Sequence, residues 1–240
     1  GTLAGYMFLA HVSNISVVGS HVNGTSRVGG LIGESYNGTG ILEADLENVT
    51  VNGSTEVGGL VGRIWDGMTN SITQSSVKAT VTGTGDSVGG IAGYSKSGDF
   101  IENFSEGSVQ GNNHVGGIVG NTYENAGIRN CYSKNSVSGN QNVGGIAGLF
   151  NSYDDGVSNT YFAGTVTGNS TAGGFLGTYT AGTISSNYWD MTKNLLPGVG
   201  NGDRPQITGK TTTQMFAQST YTGWDFVNIW AIDGDYPTLI

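Results

Sequence analysis

The side chains with chemistry to offer gather in one kind of place, a variable segment that follows each of six glycine-rich strings. Tyr36, Trp65, Tyr94, Tyr123, Phe150, Tyr153 and Tyr179 fall there, with Glu34, Asp66, Asp99, Glu124, Asp154 and Asp155 close by. Aromatic faces and carboxylate oxygens together suit the CH faces and hydroxyls of sugar rings. The ligand-binding candidates are accordingly Tyr36, Trp65, Asp66, Tyr94, Tyr123 and Glu124. The competing role is structural: each ring shields its own loop, and the acids keep a weakly charged protein soluble. Two carboxylates about 5–9 Å apart on neighbouring units could also act as acid and base on a glycosidic bond. No unit, however, gathers Asp, Glu, His and Arg into one distinctive cluster.

Spacing argues against the other chemistries. His11, His21 and His114 make no HExxH pair, and no GxSxG elbow occurs. Strings such as GGLVG lack the Lys-Ser/Thr of a phosphate loop and recur, unlike a single-use site. Cys131 is the only cysteine, which removes disulfides and thiolate clusters. It falls in a repeat position also assigned to Thr160 and Phe104, and so reads as a small buried hydrophobe. Asp154–Asp155 and Asp233/Asp235 lack the ligand-dense loop that calcium needs. The residues before each closing glycine (Asn23, Asn52, Thr82, Gln110, Ser138, Thr167) do not form the regular threonine grid of an ice-binding face. No catalytic residue, metal or cofactor is expected. A net charge of −9 with no Lys/Arg cluster argues against nucleic acid as a partner, and no stretch approaches 18 apolar residues, so no membrane insertion is expected.

The elements that must position these side chains are repeats. VGGLIG at 28–33, VGGLVG at 57–62, VGGIAG at 88–93, VGGIVG at 115–120, VGGIAG at 143–148 and AGGFLG at 172–177 recur with a period near 28. A second half-unit precedes each, as in IRNCYSKNSVSG at 128–139 and VSNTYFAGTVTG at 157–168. Both halves are short, β-branched and bounded by turn residues, which reads as strand. So short a unit cannot bury its apolar face alone, and stacking must complete it. The expected fold is all-β, a parallel β-solenoid of about seven coils.

Three inward columns follow: one at Val28, Val57, Val88, Val115, Val143 and Ala172; one at Leu31, Leu60, Ile91, Ile118, Ile146 and Phe175; and one at Val22, Val51, Val81, Val109, Val137 and Val166. The first two lie three residues apart, which strand alternation puts on opposite faces, so a bend is predicted at the Gly-Gly between them. Asn48, Gln74, Asn103, Asn130 and Asn159 share a further position, either as an amide ladder or as turn residues.

The glycine strings and half-units together resemble the GLUG repeats of bacterial surface proteins over roughly residues 1–190. The resemblance implies an exported, adhesin-like repeat region, which in IgA1-cleaving metallopeptidases accompanies a separate catalytic domain and brings no catalytic residues of its own. The expected role is a non-catalytic recognition, adhesion or spacer module of a larger polypeptide, extracellular or on the bacterial surface. It would be a monomer that meets a host glycan or protein along one edge, the alternatives being a carbohydrate-active β-helix enzyme (polysaccharide lyase or glycosidase) or an accessory region of an IgA-type metallopeptidase. The first copy is cut at Gly1, so the native chain is expected to continue upstream.

Residues 1–193 form the expected solenoid and 194–240 a linker and cap. LLPGVGNGDRPQITG reads as loop, TTTQMFAQST as a short helix with a threonine N-cap, and Trp224, Phe226, Trp230 and Tyr236 as a lid over the last coil.

Overall fold

The computed structural model describes residues 1–66, 70–202, 204 and 206–240; Asp203 and Pro205 of the expected linker lie outside them. The chain winds into an all-β parallel solenoid, in which every pairing of the large sheet is parallel. One ladder carries the chain from Ala4 to Ile32, Val61, Ala92, Val119, Ala147 and Leu176. Seven strands in this ladder delimit six complete turns, slightly fewer than the sequence suggests.

Each turn contributes to four ladders, seen most simply in the strands Ala92–Ser97, Asp99–Ile101, Phe104–Gln110 and Asn113–Gly116. The three apolar columns point inward as their spacing predicts. Val57, Val88, Val115, Leu60, Ile91, Ile118, Val81 and Val109 are all buried in one continuous core, with the end members Val22, Val166 and Ala172 partly covered.

The chain bends at each Gly-Gly, but the glycines are needed for space rather than for torsional freedom. A Cβ on Gly29 would lie 2.0 Å from the Ile32 carbonyl oxygen, and one on Gly30 would lie 2.1 Å from that of Gly59. Gly58, Gly89 and Gly116 repeat the first clash against their own turns. Left-handed backbone falls instead to other residues in two columns. Arg27, Glu56, Ser87, His114, Asn142 and Thr171 precede the glycine strings with φ between 51° and 63°. Asn14, Glu43, Gln74, Glu102, Asn130, Asn159 and Ser186 turn the opposite corner with φ between 49° and 55°. Each such residue costs roughly 1 kcal/mol or more, offset by the uninterrupted ladder it allows between coils.

The shared Asn position resolves into that corner and its neighbour, except that Asn48 (φ 55°) falls outside the column, at the register shift between Glu47 and Val49. Gln74, Asn130 and Asn159 are corner residues, whereas Asn103 sits one place further on and is fully buried. Its column runs Ala44, Ser75, Asn103, Cys131, Thr160, Asn187 and forms a ladder from side chain to backbone. Ser75 N donates to Asn103 Oδ1 at 2.8 Å, Cys131 N to Thr160 Oγ1 at 3.2 Å and Thr160 N to Asn187 Oδ1 at 3.2 Å. Asn103 N donates to Cys131 Sγ at 3.4 Å. Cys131 is therefore equivalent to Asn103 and Thr160. Phe104 pairs with Tyr132 instead, which corrects the sequence alignment at that point.

The ladders run past residue 193. Gly174 N donates to Pro197 O, Phe175 N to Gly198 O, and Ile207–Lys210 pairs in parallel with Asn187–Asp190. Beneath this partial layer the Trp189 ring fills the space that Cβ atoms on Gly174, Gly198 and Gly209 would need. The end of the core is thus closed by Trp189, residues 197–200 and Ile207–Lys210. The C-terminal aromatics lie elsewhere, along a flank. Thr211 caps the helix Thr212–Met215 through a capping box with Gln214, after which Met215, Tyr221, Trp224, Trp230 and Tyr236 pack on Tyr132, Tyr161 and Tyr188. The reason is a column of outward aromatics, Phe104, Tyr132, Tyr161 and Tyr188, which would otherwise face water. Tyr161 donates to Pro237 O at 2.5 Å, and the buried Asp190 accepts from Tyr236 at 2.5 Å and from Thr212 at 2.6 Å.

Candidate functional site

The candidate residues lie on the outer face of the first ladder, where side chains two apart in sequence share a side of the strand. One outward column contains Phe8, Tyr36 and Trp65 in register. Phe8 and Tyr36 stack with centroids 5.7 Å apart. Lys96 occupies the next turn, and Tyr123 the one after, in edge contact with Tyr153 at 6.0 Å. Tyr94 belongs to a second column, in register with Arg63 and Asn121, but its ring still reaches Trp65 at 5.9 Å. The structure therefore brings Tyr36, Trp65 and Tyr94 together and sets Tyr123 apart, beyond a lysine.

The candidate acids do not face an open ligand row. Asp66 and Glu124 both bridge to Lys96, at 3.6 and 3.5 Å. Glu34 and Glu56 share Arg27 and Arg63 within 2.9–3.8 Å, and Asp99 and Asp155 clasp Arg129 at 2.6 and 3.2 Å. The expected aromatic and acidic strip is an aromatic strip with cations between the rings. Phe150 turns inward to the core, and Tyr179 packs under Arg204 at 4.5 Å.

Arg63 is the residue that sequence reading missed and the site depends on. Its guanidinium lies 3.6 Å from the centre of the Trp65 ring, a cation–π contact that holds the indole against the strand. Lys96 approaches the same ring at 5.2 Å. Both were recoverable from period two, since Arg63 precedes Trp65 by two residues and Lys96 follows Tyr94 by two. Burial raises the Glu56 carboxyl above its ordinary value, with Arg63 and Arg27 opposing it, and burial raises the Tyr94 phenol. The Tyr123 phenol is raised mainly by its hydrogen bond to Tyr153. Among the described residues no group of three or more His, Cys, Asp or Glu is arranged to hold a metal, and no helix is long and apolar enough to cross a membrane.

A parallel solenoid with a continuous decorated flank and a core of stacked repeats is a repeat module. The chain carries the GLUG motif, matched over residues 24–56 and 111–138, each about one turn of the solenoid. Its fold is similar to the crystal structure of a "putative immunoglobulin A1 protease" from Bacteroides ovatus, with a TM-score of 0.66 at 17% identity, covering 96% of this chain and 75% of that one. At that identity the likeness is one of fold. Comparison with curated proteins gives no match.

Proposed function

We propose that this chain is a non-catalytic extracellular recognition module of a larger bacterial surface protein, which holds a glycan along the flank at Tyr36, Trp65 and Tyr94. The observation that carries the reading is the run of rings in successive turns, Phe8 exposed and Tyr36, Trp65 and Tyr94 half-buried, with Trp65 braced by Arg63. Rings repeated along a rod at the coil spacing of about 4.8 Å suit an extended chain of sugars better than a compact ligand. The bridged acids support a binding role over hydrolysis, because Glu34, Asp66, Glu124 and Asp155 each have a cation partner rather than an unpaired proton-transfer role. The partner is a host glycan or glycoprotein, met by a monomer, without nucleic acid or membrane insertion.

A second reading has one observation in its favour. The likeness in fold to a protein described as an immunoglobulin A1 protease covers nearly the whole chain, which fits an accessory region beside a peptidase domain.

A glycan array probed with wild type and Trp65→Ala tests the first reading. Binding that the substitution removes, with no product released, supports a recognition module. Turnover of a bound glycan would establish an enzyme, and silence across the array would leave a spacer or an accessory region.

A further inference from the structure

A different flank carries a second site. The outward column of the third ladder runs Asp45, Ser76, Phe104, Tyr132, Tyr161, Tyr188. Phe104 and Tyr132 stack in parallel at 4.9 Å, and Tyr132 and Tyr161 at 5.1 Å. The ring stack ends at Phe104, because the next position is the small Ser76. The C-terminal tail nevertheless continues beside this step through Asn228, Ile229, Leu239 and Ile240. A cavity of about 400 Å³ remains between tail and solenoid, lined by these residues together with Ser76, Phe104 and Gln74. It lies where one more ring of the stack would fit.

The rim of the cavity is acidic. Glu43, Asp45 and Glu102 line it, and no Lys or Arg does. Ser76 Oγ donates to Asp45, and Gln74 Nε2 donates to Glu102 at 3.0 Å, so these two carboxylates are already oriented by neutral donors. Their side-chain partners are neutral, in contrast to the acids of the first flank, which pair with Arg or Lys. Glu43 and Glu102 stand on the left-handed corner, at φ 54° and 55°, two turns apart with Gln74 on the turn between them, and both line the cavity.

We propose that this cavity binds a pyranose ring bearing a protonated amine, stacked by its CH face on Phe104 with the ammonium and hydroxyls donating to Glu43, Asp45 and Glu102. The ring dimension comes from the missing step of the stack. The sign of the charge comes from three carboxylates with no cation among the lining residues, and charge-assisted hydrogen bonds are the strong ones. Ile229 and Leu239 close the apolar side. The site selects against uronic and sialic acids, whose carboxylates would meet like charge.

Isothermal titration of the whole chain with the tetrasaccharide of β-1,4-linked glucosamine tests this, with its N-acetylated form and tetragalacturonate as comparisons. The amine form is expected to bind at least about tenfold more tightly than either. Ser76→Phe completes the stack and fills the cavity, so it should abolish binding. The double substitution Glu43→Gln, Glu102→Gln keeps side-chain shape and should weaken binding about tenfold or more. All titrations are made in the Trp65→Ala background, which removes the aromatic platform of the first flank, so the heat that Ser76→Phe abolishes belongs to the cavity. Equal binding by tetragalacturonate, undiminished binding by either variant, or no heat with the amine tetramer overturns the proposal. Binding of a lysine-rich peptide that Ser76→Phe removes, with the sugar inert, would assign the cavity to a protein partner instead.

Discussion

Replacing Asn103 by alanine tests whether the buried side-chain ladder, rather than the apolar columns alone, sets the pairing of the coils. Asn103 is fully buried, accepts from Ser75 N at 2.8 Å and donates to Ile72 O at 2.6 Å. Alanine leaves that amide without a partner in the core, at about 1–3 kcal/mol, and takes from the Ile72 carbonyl its side-chain donor, at about 1 kcal/mol more. Loss of the side chain also opens a small void, so the expected destabilisation is about 3–5 kcal/mol in all. For a chain of this size that lowers Tm by about 10 °C. Asn103→Ser supplies the internal control. Ser75 holds the equivalent place one turn earlier, and its Oγ accepts from Ala44 N at 3.1 Å. A serine at 103 should therefore serve the Ser75 amide but not reach Ile72, recovering about half of the loss. Urea denaturation followed by tryptophan fluorescence reads all three proteins. An alanine variant within about 1 kcal/mol of wild type, or a serine variant no better than alanine, would refute the reasoning.

Three further outcomes are expected. Gly90→Ala should block folding or lower Tm steeply, because its Cβ would meet the Gly117 carbonyl oxygen at 2.0 Å. Gly5→Ala, with nothing within 4 Å, should change thermal melts by less than about 0.5 kcal/mol. Cys131 is fully buried, and burial pushes its thiol up to about 12, so a disulfide reagent at pH 8 should label it only as fast as the protein opens, and denaturant should raise the rate sharply. Burial works to raise the Asp190 carboxyl, but hydrogen bonds from Thr212, Tyr236 and the amides of Thr192 and Lys193 outweigh it and hold it below its ordinary value. Its contribution is therefore fully present above about pH 4, and is lost as pH falls through the depressed folded value. Tryptophan emission from Trp224 and Trp230 should report the tail loosening in that acid range, and Asp190→Asn should remove the step.

The sequence makes the solenoid legible because stacking turns repetition into a core. Identical positions fall on one another, so the period of the glycine strings reappears unchanged as register, and Val57, Leu60 and Val81 point inward as their spacing demands. The rings at Tyr36 and Trp65 were legible for the same reason, since equal offsets from two glycine strings place them in register. The charges were not, because Lys96 reaches Asp66 and Glu124 across turns about 30 residues apart in sequence, and only the coil-to-coil spacing brings them within 4 Å.

What the sequence by itself determined is the period, the inward columns and the bends, all properties of one unit repeated. Tertiary structure alone decided where units slip against one another. Ile101-Glu102-Asn103 and Ile128-Arg129-Asn130 look equivalent, yet the sheet pairs Ile101 with Arg129. That single-residue offset puts Asn130 on a corner and Asn103 in the core, since neighbouring positions of a strand face opposite ways. It likewise decided the place of the tail. The open end of the core is filled by Trp189, so the remaining apolar surface was the flank of Tyr132, Tyr161 and Tyr188. The tail aromatics bury most area there, and they stop one step short of Ser76.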